Sequence, residues 1–310
     1  MGKGIYLALE GSEGAGKSTQ IERLAQALRD EGREVVCVRE PGGTPVAEYI
    51  RDRLFKGPPE SHETLDPMAE VMLMFACRLQ LHQEVVGPAL ERGAVVIADR
   101  GLLSTVVYQG YGRGVGPERV RALAEQALAY TPDLNIVIDV PVALSHERIA
   151  SRGERVDQFE QAGDAFFERL RNGYLAEAKR DPQRVQVVDG ARTPGEVSEV
   201  LVQLATRFCR LKANGGCHFV PLQDALSLLQ GRMLSMDGAP AVIRVMEIMQ
   251  GREVGRGEFN EAGRTCQAQL RVVLPELCEV DWDEQRDGSL RDWLQEIERV
   301  HGAWVPVPSG

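Results

Sequence analysis

The chain has 310 residues, 43% hydrophobic and 26% charged, with a formal net charge of −10. Such a composition fits a globular chain, long enough for one large α/β domain and a smaller one, with no run near the ~18 apolar residues of a membrane helix. The acidic balance argues against nucleic-acid backbones as the main partner. The opening run MGKGIYLALEG has no cleavage site and is too short for a signal peptide, so a cytoplasmic location and no membrane partner are expected. Cys37, Cys77, Cys209, Cys217, Cys266 and Cys278 form no C-x-x-C pair and read as reduced thiols. Four of them lie in the last third, with His218 beside Cys217, at spacings that fit no standard zinc pattern.

Along the chain, apolar β-rich runs at Ile5–Leu9, Val35–Val38, Val95–Ala98, Ile136–Val140 and Val185–Val188 alternate with stretches of helical spacing such as Ile21, Leu24, Ala25 and Leu28. Fully apolar strands alternating with helices predict a parallel sheet covered on both faces. Directly after the first run comes Gly11-Ser12-Glu13-Gly14-Ala15-Gly16-Lys17-Ser18-Thr19. It fits G-x-x-x-x-G-K-S/T and has a strand before it and a helix after it, as that motif requires. The glycines let backbone N–H groups turn toward phosphate oxygens, and the helix adds the positive end of its dipole. Lys17 is expected to reach the β- and γ-phosphates of ATP, and the Ser18 hydroxyl to ligate Mg²⁺. At the end of the third run stand Asp99 and Arg100. An acid there suits a water-mediated Mg²⁺ contact, and Arg100 suits charge neutralisation between two phosphate groups.

Five segments from Ile5 to Phe208 together resemble thymidylate kinases of bacterial type. They are the phosphate loop with Glu13; Arg39-Glu-Pro-Gly-Gly-Thr44; the helix Met72-Leu-Met-Phe-Ala-Cys-Arg78; Asp99-Arg100 with Ser104, Thr105, Tyr108 and Gln109; and Pro132-Asp-Leu-Asn-Ile-Val-Ile-Asp139; a further match, Phe166-Phe-Glu-Arg-Leu-Arg-Asn-Gly-Tyr174, resembles the helix after the lid. The resemblance implies a P-loop fold, a five-stranded parallel sheet with helices on both faces, ATP-dependent phosphorylation of dTMP with Mg²⁺, and a homodimer. It implies that Arg39 contacts the acceptor monophosphate, Arg78 the thymine edge, Thr105 and Gln109 the base region, Tyr108 the sugar 2′ side, and Glu13 the 3′-hydroxyl. Lid arginines Arg152 and Arg155 would supply positive charge in the transfer step. No general base is expected, because the acceptor phosphate is already ionised near neutral pH.

Three departures from the family pattern stand out. Gly101 occupies a place usually held by an aromatic residue or His. The lid reads Asp157-Gln158-Phe159-Glu160 where the family has D-R-I-E. Four residues before Arg78 stands Met74, with Phe75 next to it, where the family places a stacking phenylalanine. Either Phe75 turns into the site or Met74 forms a softer wall, which would suit a 5-substituted dUMP such as 5-hydroxymethyl-dUMP. Both read equally as core residues of an amphipathic helix. The aromatics of Phe166-Phe-Glu-Arg-Leu-Arg-Asn-Gly-Tyr174 are expected to pack rather than to act.

The kinase-like pattern spans residues 1–210, residues 211–217 read as a linker, and 218–310 as a small, mostly helical domain with an extended or disordered tail. The run His218–Leu234 resembles a phage-type domain of unknown function with an L-S-x-x-x-G-R-M/L-L core. A reading of another class treats the protein as a nucleotide-gated scaffold, with that domain binding a partner.

Overall fold

The computed structural model describes residues 4–56, 65–152, 163–213, 217–221 and 304–308. Five strands, β1 (Ile5–Glu10), β2 (Val35–Arg39), β3 (Val95–Asp99), β4 (Leu134–Asp139) and β5 (Val185–Asp189), form one parallel sheet in the order β2-β3-β1-β4-β5. The central strand β1 is buried along its whole length, as a strand covered on both faces must be. Its register sets Leu9 beside Asp99 and Glu10 beside Val137. The carboxyl ends of β1 and β3 therefore finish within one residue of each other, and β4 runs two residues further, to Asp139. The fourth strand begins two residues earlier than its apolar run, because Asp133 already bonds Tyr6 through its backbone N–H and accepts from Tyr6 N at Oδ2.

Successive side chains of a strand face opposite ways. Tyr6 and Ala8, with Val96 and Ala98, pack against Leu81, Val86 and Ala89. These come from α3 (Pro67–Leu81), the π-helical turn His82–Val86 that continues it, and α4 (Gly87–Glu91). Farther along the sheet, Val137 and Val185 pack with Leu103, Val107, Phe166, Phe167 and Leu170. Those residues belong to α5 (Leu102–Thr105), its π-helical continuation Val106–Gly112, and α8 (Asp164–Arg180). The alternate set Ile5, Leu7 and Leu9 points to the other face, and α1 (Lys17–Asp30) packs on β1, β2 and β3. The remaining helices of this unit are α2 (Pro45–Lys56), α6 (Pro117–Ala127), α7 (Val142–Arg152) and α9 (Pro194–Ala213).

By its contacts the chain divides into two compact units, Met1–Cys209 and Arg210–Gly310. Helix α9 continues to Ala213, so residues 211–213 are helical rather than open linker. In the second unit, β6 (Cys217–Pro221) pairs antiparallel with β7 (Trp304–Pro308). Pro306 and Pro308 stand two apart in β7, so both fall at the same kind of ladder position. An antiparallel ladder alternates bonded and unbonded pairs, and only the unbonded ones accept a residue with no N–H. The residues of the phage-type resemblance beyond Pro221, and the helical patterns that follow, lie outside the described residues.

Helix α3 carries much of the site. Pro67 occupies its first turn, and the Asp66 carboxylate accepts from Met68 N at 2.8 Å and Ala69 N at 3.2 Å. Asp66→Ala should therefore lower stability by about 0.5–2 kcal/mol, read by urea denaturation at neutral pH; no change would mean that water replaces the cap at no cost.

Candidate active site

The phosphate loop turns at glycines for a steric reason. Gly11 has φ +135°, and a Cβ there would meet Ile138 O at 2.6 Å; Gly14 has φ +74° and would meet Ser145 O at 2.6 Å. Ser12 and Ala15 are buried supports of the loop. Helix α1 starts at Lys17 with no side-chain cap on Gly16, which leaves its first N–H groups for an anion. Lys17 Nζ folds back to donate to Gly11 O at 3.0 Å and Ser12 O at 2.9 Å. Burial, then the charge of Arg100, lowers its ammonium to about 8. Bound phosphates would raise it again.

Arg100 joins the two halves of the site. Among the described residues it alone of the non-glycines has positive φ, +66°, an uncommon conformation that costs on the order of 1–3 kcal/mol and tends to occur at functional sites. Its Nη2 donates to Glu13 Oε1 at 2.7 Å, and its Nη1 to Gly11 O at 2.9 Å and Ser104 Oγ at 3.3 Å. The guanidinium lies 4.9 Å from the centre of the Tyr108 ring. Glu13 is bridged, because its Oε2 accepts from Tyr108 OH at 2.6 Å. Burial opposes the charge on Glu13, but Arg100, Lys17 and the Tyr108 hydroxyl together hold its carboxyl below the usual range.

Behind Arg100 lies Glu10, fully buried at the end of β1. Its carboxyl accepts from Gly101 N at 2.9 Å, Ser104 Oγ at 2.5 Å and Tyr174 OH at 3.3 Å. Burial raises it to about 7, against the Ser104 hydrogen bond and the Arg100 charge. Tyr174, expected only to pack, thus places its hydroxyl in this network, 3.0 Å from Ser104 Oγ; Phe166 and Phe167 do pack. Glu10 carries the same signal that marked Asp99, an acid closing an apolar strand. Gly101, where the family has a larger residue, has Glu10 Oε1, Ala8 and Pro132 3.5–3.6 Å from any added Cβ.

On the other side of the cleft, Arg78 is 3% exposed. Its Nε donates to Glu40 Oε2 at 2.5 Å and its Nη2 to Thr105 Oγ1 at 3.0 Å. Its Nη1 is buried without a partner, which a native structure tolerates poorly unless a ligand supplies the acceptor. Glu40 is also bonded by Tyr6 OH at 3.1 Å. Beside it His82, lowered to about 4 by burial and then by Arg78, stays neutral. Glu40 was missed although its segment was recognised, because nothing local says that it turns inward. Met74 lines the cleft. Phe75 does not: it packs with Val71, Val106, Val115, Val120 and Ala124, and its expected place as a substrate-side residue is corrected to the core. One helical position, about 100° of rotation, separates the two.

These groups converge on one cleft of about 430 Å³, lined by Glu13, Gly14, Gly16, Lys17, Ser18 and Thr19 at one end and Met74, Arg78, Thr105, Tyr108 and Gln109 at the other. Asp99, Arg100 and Ser104 lie on its wall as well, with Arg39, Glu40, Arg51 and Arg148. Arg39, half-exposed, holds Glu48 at 2.9 Å, an ion pair weak enough to yield to a phosphate. Arg148, also missed in the sequence, donates to Gly190 O at 3.0 Å. The side chain of Arg152, and all of Arg155 and Gln158, lie outside the described residues.

A Lys- and dipole-lined phosphate loop sharing one cleft with a second set of arginines defines a P-loop enzyme that holds two phosphorylated ligands. A profile of the thymidylate kinase family matches residues 9–200, and the chain belongs to that family. The thymidylate kinase of Pseudomonas savastanoi pv. phaseolicola is 45% identical over 210 residues, 67% of this chain and 98% of its own length. That of Pseudomonas fluorescens is 48% identical over 202 residues, 65% of this chain and 94% of its own.

The Glu10 shift carries a signed consequence. Between the unfolded value of 4.5 and the folded value of about 7, the folded state binds a proton that the unfolded state has released. Stability from this group is therefore full below about 4.5 and is lost as pH rises toward about 7. Relative to Glu10→Gln, the wild type should lose on the order of 1–3 kcal/mol across that window. Urea denaturation of both proteins over a pH series reads it, and parallel curves would show that Glu10 ionises freely.

Proposed function

We propose that this protein transfers the γ-phosphoryl group of ATP to dTMP, forming dTDP and ADP. The observation that carries the reading is the single cleft, with an uncapped helix end and Lys17 at one end and the unpartnered Arg78 Nη1 at the other. The phosphate loop from Gly11 to Thr19 and Lys17 hold ATP. Arg39 and Arg100 hold the acceptor phosphate in line with the γ-phosphate. Arg78, Thr105, Gln109 and Met74 receive the base, and Tyr108 and Glu13 the sugar. Phosphoryl transfer asks the protein mainly for alignment and charge neutralisation, and Arg100 stands where both phosphates meet. By the family resemblance a lid arginine, Arg152 or Arg155, would shield the transferred phosphoryl group from water.

Ser18 and Asp99 both line the cleft, and a hydroxyl with a carboxylate suits a hard cation. Mg²⁺ in such sites is carried largely by substrate phosphates and water, with few protein ligands. Such an ion, when bound, would neutralise phosphate charge. The reading includes a cytoplasmic location and a homodimer, the latter supported by the exposed apolar side chains Val46, Met72 and Leu79 on α2 and α3. Residues 1–210 form the kinase domain and 218–310 a domain of separate role; the profile match that ends at residue 200 supports that division.

ADP release with ATP, Mg²⁺ and a panel of dTMP, dUMP, 5-hydroxymethyl-dUMP, dCMP and dGMP tests the proposal. dTMP should give the highest kcat/KM; 5-hydroxymethyl-dUMP in first place would assign Met74 a retuned pocket, and no turnover with any acceptor would leave the scaffold reading. Lys17→Ala should lower kcat by on the order of 10²–10³-fold, with a circular dichroism spectrum like that of the wild type; full activity would remove Lys17 from the reaction.

A further inference from the structure

Gln109, in the π-helical continuation of α5, is 1% exposed and lines the cleft. Its Nε2 donates to Glu70 Oε2 at 3.3 Å. Glu70, in the first turn of α3, is 2% exposed, and its Oε1 lies 2.9 Å from Arg113 Nη2. Burial raises the Glu70 carboxyl, while Arg113 and the Gln109 amide favour its charge. A carboxylate paired with a guanidinium has no proton to give, so it accepts only. The Gln109 amide must then turn its nitrogen to Glu70 and its oxygen away, toward the cleft. Thr105, four residues before Gln109, accepts from Arg78 Nη2, which brings Arg78 to the same wall. A guanidinium has only donors, and Arg78 Nη1 is the one without a partner.

The wall thus offers one donor that cannot become an acceptor and one acceptor held from becoming a donor. A 4-oxo pyrimidine edge, as in thymine, has a carbonyl oxygen beside N3–H and meets both. A 4-amino pyrimidine edge, as in cytosine, has an amino group beside a bare N3 and opposes both. An amide free to rotate would turn its NH₂ to that bare N3 and remove half of the conflict. We propose that Glu70 is a specificity-determining positioning residue: by holding the Gln109 amide in one orientation, it makes the cleft select 4-oxo over 4-amino pyrimidine nucleotides. The inference rests on the dTMP kinase reading above. Glu70 touches no substrate and acts through Gln109.

The test is kcat/KM for dTMP and for dCMP in the wild type and in Glu70→Gln. A neutral amide at position 70 can donate as well as accept, so Gln109 is released to turn either way. Sites built to hydrogen-bond a substrate reject mismatched analogues by about 10⁴-fold or more; the variant's dTMP to dCMP ratio should fall at least about tenfold below the wild-type ratio. A purely structural role would lower both substrates together and leave the ratio unchanged, and that result overturns the proposal. Wild-type protein that does not turn over dTMP would instead overturn the kinase reading and this inference with it. Should Glu70→Gln not fold, a crystal structure of the wild type with dTMP decides: Gln109 Oε1 on base N3 with Nε2 on Glu70 supports the proposal, and Gln109 turned from either overturns it.

Discussion

The buried guanidinium of Arg100 is the interaction on which the cleft depends. It bonds the phosphate loop through Gly11 O and the second wall through Ser104 Oγ, and it is neutralised by Glu13. A charge removed from water is costly unless it is paired and its hydrogen bonds are filled. Here the partners come from the loop, from α5 and, through Tyr174 OH at 3.5 Å, from α8, so the charge is tolerable only when all three are in place. The left-handed backbone at Arg100 has the same logic. It turns the chain back immediately after β3, and Glu10 secures the turn by accepting from Gly101 N.

The same rule shapes the rest of the interior. Glu40 is buried because Arg78 and Tyr6 meet it, and Glu70 because Arg113 and Gln109 do. The chain as a whole is acidic, at −10, yet Lys17, Arg39, Arg51, Arg78, Arg100 and Arg148 all line the cleft, against Glu13, Glu40 and Asp99. Net charge therefore says little about the ligand; local convergence does, since a concave wall of one sign concentrates the field there. Two helices widen into π turns beside this cleft, at His82–Val86 and Val106–Gly112, and the second carries both Tyr108 and Gln109. Such turns re-aim side chains that a regular helix would direct elsewhere.

The five strands and the phosphate loop were legible in the sequence because each depends on neighbours in the chain. A parallel strand buried on both faces is an apolar run, and a loop that must approach phosphate needs glycine where a Cβ would strike Ile138 or Ser145. Asp99 and Arg100 stood out at the end of an apolar strand, whereas Arg39 and Arg78 were marked only by the family resemblance of their segments. What the sequence alone determined was thus the sheet, the loop and a set of candidate charges. The tertiary structure decided which faces were used. It put Met74 on the cleft and Phe75 in the core, drew the Tyr174 hydroxyl into the Glu10 network, and turned Glu40 and Glu70 inward. Those choices depend on partners 27 to 164 residues away, such as Thr105 for Arg78 and Glu10 for Tyr174. Helical periodicity fixes a residue's angle around its own axis, but which part of that circle meets another element is set only when the elements pack.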